Sequence, residues 1–578
     1  MMKRVVTWVL CAVLFSINMS AQVEQEIIDH KGDRYVINVE ALKPDKEMTL
    51  MDVLQTCPEL LSDNGRRLNA DYEIRVDNVV LAMDDETVLE ALKASEINTI
   101  EIYLSTSVTI GGAGRGGTID IYLKEQVDGS ASGKLLLEGS TQGNGKAYAD
   151  IVKKTGNVTV RGYALTNLKY AKGTFTDFGG FSLRQGIENV HLNLDWNISE
   201  NDNLKIKLFQ NFLDSKYKME ISKESVVTMP ELQRYWGGVV SYTHTLNDQG
   251  ATVFAEFGAD YLNATIEESK QRDNYTYFFA ETNIPCLNQD LNILAGWEID
   301  YYNMWTVGYD RQQIVYNDPY LQFDYTKGPW VLTLGDRLRI INYWHRTYNT
   351  DDTSLWNGKR MEHSYLASVG YRAGRHFIQG LFSHDYITPL IYSFYNYDED
   401  IQRRSYKTDI PTCMVYNAEA RYTYQQADLV VNGGALHTWG KNSPVADEQY
   451  TGVRTSLTWR KECLRLTAGA DYYHGYVSGP DYGIDKHDNF FNLRLLSTLL
   501  LDGGLRISSC LLYNSRQDLL VETPAHLYAS VKISKDLGRH CTLSADFHDL
   551  AGSPRMASSL MGSPYDNRAV TLGFSYRY

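Results

Sequence analysis

The sequence lacks several features that mark common protein classes. Seven cysteines in 578 residues form no CxxC pair and no dense framework, which excludes a disulfide-stapled scaffold and a cysteine-based metal site. After the first 21 residues no stretch approaches the roughly 18 consecutive apolar residues of a spanning helix, so no transmembrane helix is expected. Basic charge is in deficit: the formal net charge is −15, which argues against nucleic acid as the main partner. The 13 histidines are dispersed, with no HExxH and no His/carboxylate group at ligand spacing. Ser, His and Asp residues abound, but nothing draws three together; neither enzyme activity nor a cofactor is expected. The glycine run Gly111–Gly117 lacks the G-x-x-x-x-G-K-[ST] spacing of a phosphate cradle and does not open a helix. No blade-length repeat is visible, which counts against a propeller.

Met1–Ala21 has the three parts of a cleaved secretory signal: Lys3 and Arg4, the apolar Val5–Phe15, and Ser20-Ala21 before Gln22. Cys11 follows Trp8, Val9 and Leu10 rather than a small residue, which opposes a lipoprotein signal. Export permits disulfides. Even so, Cys57, Cys286, Cys413, Cys463, Cys510 and Cys541 are widely spaced and are expected to be isolated or locally packed thiols.

What is abundant is tyrosine, 41 residues, which suits a protein with two boundaries between water and lipid. The chain changes character at Asn98–Glu125. Before that stretch lies a mixed segment; after it, strand-and-turn patterning runs almost unbroken to Tyr578. The stretch itself reads as strands Thr99–Leu104 and Thr118–Leu123, with Ile119 and Ile121 opposing Asp120 and Tyr122. Gln22–Arg34 is polar and expected to be flexible. Tyr35–Val39 alternates as a strand, and Thr49–Leu61 has apolar spacing for a short helix ending near Pro58. Tyr72–Leu81 predicts a hairpin around Asp77-Asn78. Asp84–Ser95 predicts a second helix with an acidic first turn.

The ordered set TLMDVLQTCPELL (49–61), YEIRVDNVVL (72–81) and residues 97–124 resembles the plug domain of TonB-dependent outer-membrane receptors. It is most similar to the Bacteroidota outer-membrane β-barrel family, whose pattern has a helix ending near a Pro, a V-x-V/I-D-G-x-x-L hairpin and a G-G-x-I-x-I-x-x-K strand. Asn78 stands where that family usually has Gly, and Asn tolerates the left-handed turn. The domain organisation expected is a signal peptide at 1–21, a flexible lead at 22–34, a plug at 35–129 and a transmembrane barrel at 130–578.

The barrel can be counted. Leu204, Ile206 and Leu208 alternate with Lys205, Lys207 and Phe209, and Val570–Tyr578 alternates in the same way, as lipid-facing and lumen-facing positions do. About 22 such strands fit between 133 and 578, the size class whose lumen needs a plug. Tight connections such as Gly156-Asn157, Gly374-Arg375 and Lys461-Glu462 alternate with longer ones, among them Thr174–Ile187, Ser222–Tyr235, Thr306–Val315, His345–Lys359, Ile391–Thr412, Pro480–His487 and Gly552–Tyr565. That asymmetry is the one expected between periplasmic turns and extracellular loops. The final strand ends on an aromatic residue, resembling the terminal strand that outer-membrane barrels use in assembly. The fold class expected is therefore an all-β membrane barrel with a small α/β plug in its lumen, the alternative being a soluble β-sandwich or propeller.

The resemblance implies uptake energised by TonB across the outer membrane of a Gram-negative bacterium. Glu26, Ile27 and Ile28 are the candidate TonB contact, through an added strand. Tyr395, Tyr397, Asp398, Glu399 and Asp400, in the aromatic and acidic stretch Ile391–Asp409, are candidate extracellular ligand contacts. The competing readings are a flexible leader for the first group and an interfacial girdle with a solvated loop for the second. The cargo expected is an iron chelate, an oligosaccharide or a peptide. The runner-up is a non-transporting barrel that scaffolds a surface or envelope-assembly complex. Besides outer-membrane lipid, a surface lipoprotein is the further partner considered, because the predicted loops leave little protein for a lid.

Overall fold

A computed structural model describes residues 27–42, 44, 48–54, 72–76, 79–80, 92–104, 117–124, 126–175, 179–220, 226–266, 269–306, 310–347, 355–387, 413–426, 428–441, 447–461, 463–479, 483–519, 522–523, 525–551 and 569–578. The N-terminal part builds one six-stranded sheet from β1 (Ile28–His30), β2 (Arg34–Asn38), β3 (Tyr72–Val76), β4 (Val79–Val80), β5 (Ile97–Leu104) and β6 (Gly117–Leu123). Its order is β1-β2-β5-β6-β3-β4, antiparallel except where β3 runs parallel to β6. The predicted hairpin forms, Arg75 opposing Val80 and Val76 opposing Val79.

Alternation decides which face of this sheet is apolar. Ile37, Ile100, Ile102, Ile119 and Ile121 are all fully buried on one face. Helix α1 (Leu50–Leu54) covers that face with Leu50, Val53 and Leu54, whose spacing puts them on one helical side. The rest of the expected helix 49–61 lies outside the described residues, apart from Thr49, as does most of 84–95. Where the latter becomes visible, Ala94–Glu96 forms a 3-10 turn leading directly into β5.

The remainder of the chain closes into an antiparallel barrel of 22 strands. They begin with β7 (Ala131–Ser140), β8 (Gly145–Thr155), β9 (Val158–Phe175), β10 (Gly179–Asn197), β11 (Asp202–Glu220), β12 (Val226–Thr245), β13 (Thr252–Ile266), β14 (Ser269–Cys286), β15 (Leu291–Thr306), β16 (Asp310–Lys327) and β17 (Trp330–Thr347). They continue with β18 (Leu355–Ala373), β19 (His376–Ile387), β20 (Cys413–Gln426), β21 (Leu429–Lys441), β22 (Asp447–Lys461), β23 (Leu464–Gly479), β24 (Ile484–Leu501) and β25 (Leu505–Asn514). After a small hairpin of β26 (Gln517–Asp518) and β27 (Glu522–Thr523), the wall resumes with β28 (His526–Leu537), β29 (Cys541–His548) and β30 (Ala569–Arg577). Closure is made by β30 on β7, with Arg577 opposite Lys134 and Thr571 opposite Ser140.

Each strand turns one set of side chains outward and the other inward. Outward positions are apolar and uncovered, as at Val190 (55% exposed), Leu334 (60%) and Leu572 (62%). Inward positions are polar and buried, as at Asn189, Asn211, Asp318, Thr333 and Gln379. A soluble fold would bury the first set, so this outer surface is made for lipid. Outward tryptophans stand near both ends of the wall, Trp196 and Trp330 by the short turns and Trp305 and Trp344 at the other end. The short turns use glycines at positive φ, such as Gly328 (58°) and Gly374 (59°), which a side chain would strain.

The strands outrun their expected lengths at the end opposite the short turns. The stretches Thr174–Ile187, Ser222–Tyr235 and Thr306–Val315, expected as loops, are largely taken up by strands, and His345–Lys359 and Pro480–His487 are about half taken up. A 20-residue strand such as β12, rising about 3.3 Å per residue at a tilt near 40°, climbs about 50 Å, twice the roughly 25 Å apolar band. Above that band neither face meets lipid, so the hydrophobic alternation fades while the hydrogen-bonded ladder continues.

Candidate functional site

The six-stranded sheet sits inside the barrel. Its apolar face packs on Val430, Leu496, Cys510, Leu512 and Tyr528 of the inner wall, together with Tyr163. Of the residues expected to be functional, Glu26, Tyr395, Tyr397, Asp398, Glu399 and Asp400 lie outside the described residues. Ile27 and Ile28 are described, and both are buried in the sheet's core. They belong to the stretch expected to be a flexible lead; instead, 28–30 form β1, an edge strand antiparallel to β2. A short run such as Ile27-Ile28 carries no readable period, so only its partners could reveal the strand.

Those partners come from the barrel wall, and they bind residues 28–33 like a strap. The free edge of β1 would leave backbone groups unpaired, and a side-chain amide fills the gap. Ile28 N–H donates to Gln425 Oε1 at 3.0 Å, and Gln425 Nε2 donates back to the Ile28 carbonyl. Arg372 Nη2 reaches Asp29 Oδ1 at 2.7 Å. The His30 ring stacks on Phe377 with centroids 4.6 Å apart, and Tyr35 meets it edge-on. Gln379 Nε2 donates to the Gly32 carbonyl at 2.9 Å and to Ser368 Oγ at 2.8 Å. Gln322 Nε2 approaches Asp33 Oδ2 at 3.3 Å. A Cβ on Gly32 would fall 1.6 Å from Thr333 Oγ1, so the backbone lies directly against the wall. Strands β16 to β20 thus hold the strap close to the short-turn end.

The electrostatics of the strap follow from burial. Burial, reinforced by the nearby Arg421 and Arg372 charges, pushes the His30 imidazole down to about 3. For Asp29 burial works upward, but hydrogen bonds and charges from Lys31 and Arg372 hold the carboxyl below its ordinary value. The sheet has a second anchor on the far side, where Lys134 Nζ of β7 lies 2.8 Å from Glu96 Oε2. Burial again opposes ionisation there, and Lys134 with the Lys93 amide still keeps Glu96 below the usual carboxylate range.

The inner wall around the sheet carries pairs of tyrosine and carboxylate. Tyr235 OH donates to Asp260 at 2.8 Å, Tyr275 OH to Asp300 at 2.9 Å and Tyr277 OH to Glu256 at 2.7 Å. Arg337, almost fully buried, pairs with Glu298 and Asp318, and Arg339 also reaches Asp318. Rings continue the lining, stacked from Tyr163 through His191 to Phe209 and tilted from there to Tyr235. Tyr302 stacks on Tyr275 with ring centroids 4.4 Å apart. Such a lining offers flat faces, hydroxyls and negative charge to a polar or cationic ligand. Among the described residues no group of three metal-ligating side chains occurs. Outside, His384 stacks on Tyr365 and Tyr416 stacks on Trp439, so these histidine and aromatic residues belong to the lipid interface.

Neither a protein-family model nor a curated protein sequence matches the chain. Solved structures do. The siderophore receptor PirA of Pseudomonas aeruginosa superimposes with a TM-score of 0.67 at 12% identity, over 95% of this chain and 100% of that one. The copper transporter OprC gives 0.70 at 10% identity, over 97% and 100%. The alcaligin outer-membrane receptor FauA of Bordetella pertussis gives 0.62 at 11% identity, over 97% and 96%. At these identities the likeness speaks for architecture. The chain has the fold of the solved siderophore receptors and copper transporter, and its closed 22-stranded barrel holds the six-stranded sheet against the inner wall.

Proposed function

We propose that the protein is a receptor in the outer membrane of a Gram-negative bacterium. It imports a scarce nutrient through its closed barrel, and TonB supplies the work from the periplasm. The observation that carries this reading is the strapped sheet. A domain that sits in the lumen and is tied to two sides of the wall must move for cargo to pass, and the movement needs an outside pull. The roles named for the neighbours, siderophore receptor and copper transporter, support the same reading.

Glu26, Ile27 and Ile28 are the proposed TonB contact. Because Ile27 and Ile28 are buried, TonB takes them up as an added strand only as β1 leaves the wall. Tyr395, Tyr397, Asp398, Glu399 and Asp400 are proposed to meet cargo from outside, an iron chelate, an oligosaccharide or a peptide. The domain division at 35–129 and 130–578, with a signal at 1–21, belongs to the same proposal. Burial of the TonB contact also favours a second reading, a non-transporting barrel that serves as a structural subunit beside a lipoprotein.

A pull-down from detergent-solubilised outer membranes separates the two, using the full chain and a variant lacking Gln22–Arg34. TonB captured by the full chain and lost with the deletion is the expected result. Capture of a stoichiometric lipoprotein with no TonB from either form would overturn the receptor reading.

A further inference from the structure

Behind the strap, carboxylates from three parts of the fold gather around one guanidinium. Arg34 opens β2, with Nη1 3.0 Å from Asp33 Oδ1 and Nε 3.1 Å from Glu101 Oε2 of β5. Its guanidinium lies 5.0 Å from the centre of the Tyr103 ring, and Tyr103 OH donates to Glu101 at 2.8 Å. Two carboxylates of the barrel wall, Asp324 on β16 and Glu281 on β14, interact electrostatically with Arg34.

The wall half of this cluster is fixed by neutral donors. Asp324 accepts from Gln322 Nε2 at 2.9 Å and from Thr333 Oγ1 at 2.6 Å. Glu281 accepts from Tyr320 OH. Gln322 is fully buried, and with its Nε2 turned to Asp33 and Asp324 its Oε1 finds no hydrogen-bond partner among the described residues. A buried acceptor without a donor is costly and calls for a ligand or a function. Asp324 and Glu281 stand near the short-turn ends of their strands, Lys327 and Cys286. The cluster therefore lies toward the exit of any path along this wall.

We propose that Asp324 and Glu281, with Glu101 of the sheet, form a cation subsite that Arg34 occupies while the strap is seated, and that Gln322 Oε1 beside Asp324 is a spare acceptor for it. When residues 27–34 withdraw, Arg34 and Asp33 leave together, and the carboxylates that remain receive a cationic group of the cargo. The ligand class is a guanidinium, an ammonium or a metal cation. Use of the subsite in transport rests on the receptor reading above; its affinity for cations does not.

The test uses purified full chain carrying Arg34→Ala, read by amide hydrogen exchange over residues 28–38. Guanidinium, spermidine and calcium are the probes, with urea as a neutral isostere and sodium chloride at matched ionic strength. The expected result is a saturable slowing of exchange in Arg34→Ala, with an apparent affinity about tenfold or more above that of wild type. Adding Asp324→Asn and Glu281→Gln abolishes it, and Arg34→Lys behaves as wild type. Response to guanidinium or spermidine assigns the site to organic cations, response to calcium to metal ions. No response to any cation, an equal response in wild type, or a response that survives loss of both wall carboxylates overturns the proposal. Should Arg34→Ala fail to fold, the chain lacking Gln22–Arg34 is placed in a planar bilayer under a potassium chloride gradient. Cation selectivity that falls with Asp324→Asn and Glu281→Gln supports the subsite, and equal permeability to both ions overturns it.

Discussion

Replacing Gln425 by alanine is expected to loosen the strap while leaving the barrel intact. The side chain makes two hydrogen bonds to one residue of β1, to the Ile28 N–H and its carbonyl. Each such bond contributes about 1 kcal/mol net, and stranding buried backbone partners adds to the loss. A shift of about 2 kcal/mol in local opening corresponds to about a 30-fold rise in the open population, since 1.4 kcal/mol is a factor of ten. Amide exchange at residues 27–33 reports this directly, because local opening exposes the strap without melting the wall. Gln425→Glu, which keeps an acceptor and loses the donor, should fall between wild type and alanine. Exchange over residues 27–33 that changes by less than about threefold, with a normal barrel melt, would refute the idea that this amide holds the strap.

Acid should loosen the same segment. His30 is folded with its imidazole pushed down to about 3, so between the ordinary value near 6.5 and that point the released strap binds one more proton. Seating is fully favourable above pH about 6.5 and weakens as pH falls toward 3, and Asp29 adds to the loss only below the ordinary Asp value near 3.9. His30→Phe, which keeps a ring against Phe377, should flatten the profile between pH 4 and 6.5 in an exchange experiment, to within about a factor of two. Gly296→Ala would set a Cβ 2.2 Å from Tyr320 Cζ, pushing that ring off Glu281. The expected cost is about 1–3 kcal/mol, read as an earlier thermal transition of the folded barrel on gels. Cys286, Cys463 and Cys541 all lie by short turns, whereas Cys510 is buried on the inner wall. An impermeant maleimide should therefore modify the peptides carrying the first three in spheroplasts but not in whole cells, and labelling of those same three peptides in whole cells would reverse the assigned orientation.

Much of the architecture was readable because lipid imposes a simple rule. Where one face of a strand meets hydrocarbon, alternation is strict, and stretches such as Leu204–Phe209 could be counted one by one. The same rule explains where the reading stopped. Outside the apolar band the ladders of β10, β12 and β18 continue without that signature, and their upper parts looked like loops. The sheet's apolar core was equally legible, since Ile100, Ile102, Ile119 and Ile121 alternate on neighbouring strands. The candidate site was not. Arg34 finds one partner 67 positions away in Glu101 and another 290 away in Asp324, distances that no local pattern encodes. The strap remained hidden for a related reason: what holds β1 is a glutamine at position 425 imitating a neighbouring strand.

The strap also has a mechanical character. Its attachments follow one another along the chain, Gln425 at residue 28, Arg372 at 29, Phe377 at 30, Gln379 at 32 and Gln322 at 33. A force applied at the N-terminal end therefore loads them in series, as a zip is opened, and each step breaks one or two weak bonds. The contact of Glu96 with Lys134 of the opposite wall, far along the chain, carries no tension until the zip has run. The same domain is thus soft toward a pull from the periplasm and stiff toward pressure spread over its whole surface. A molecule pushing from outside meets all the contacts at once, which is how a modest force from one direction can open what a crowd of solutes from the other cannot.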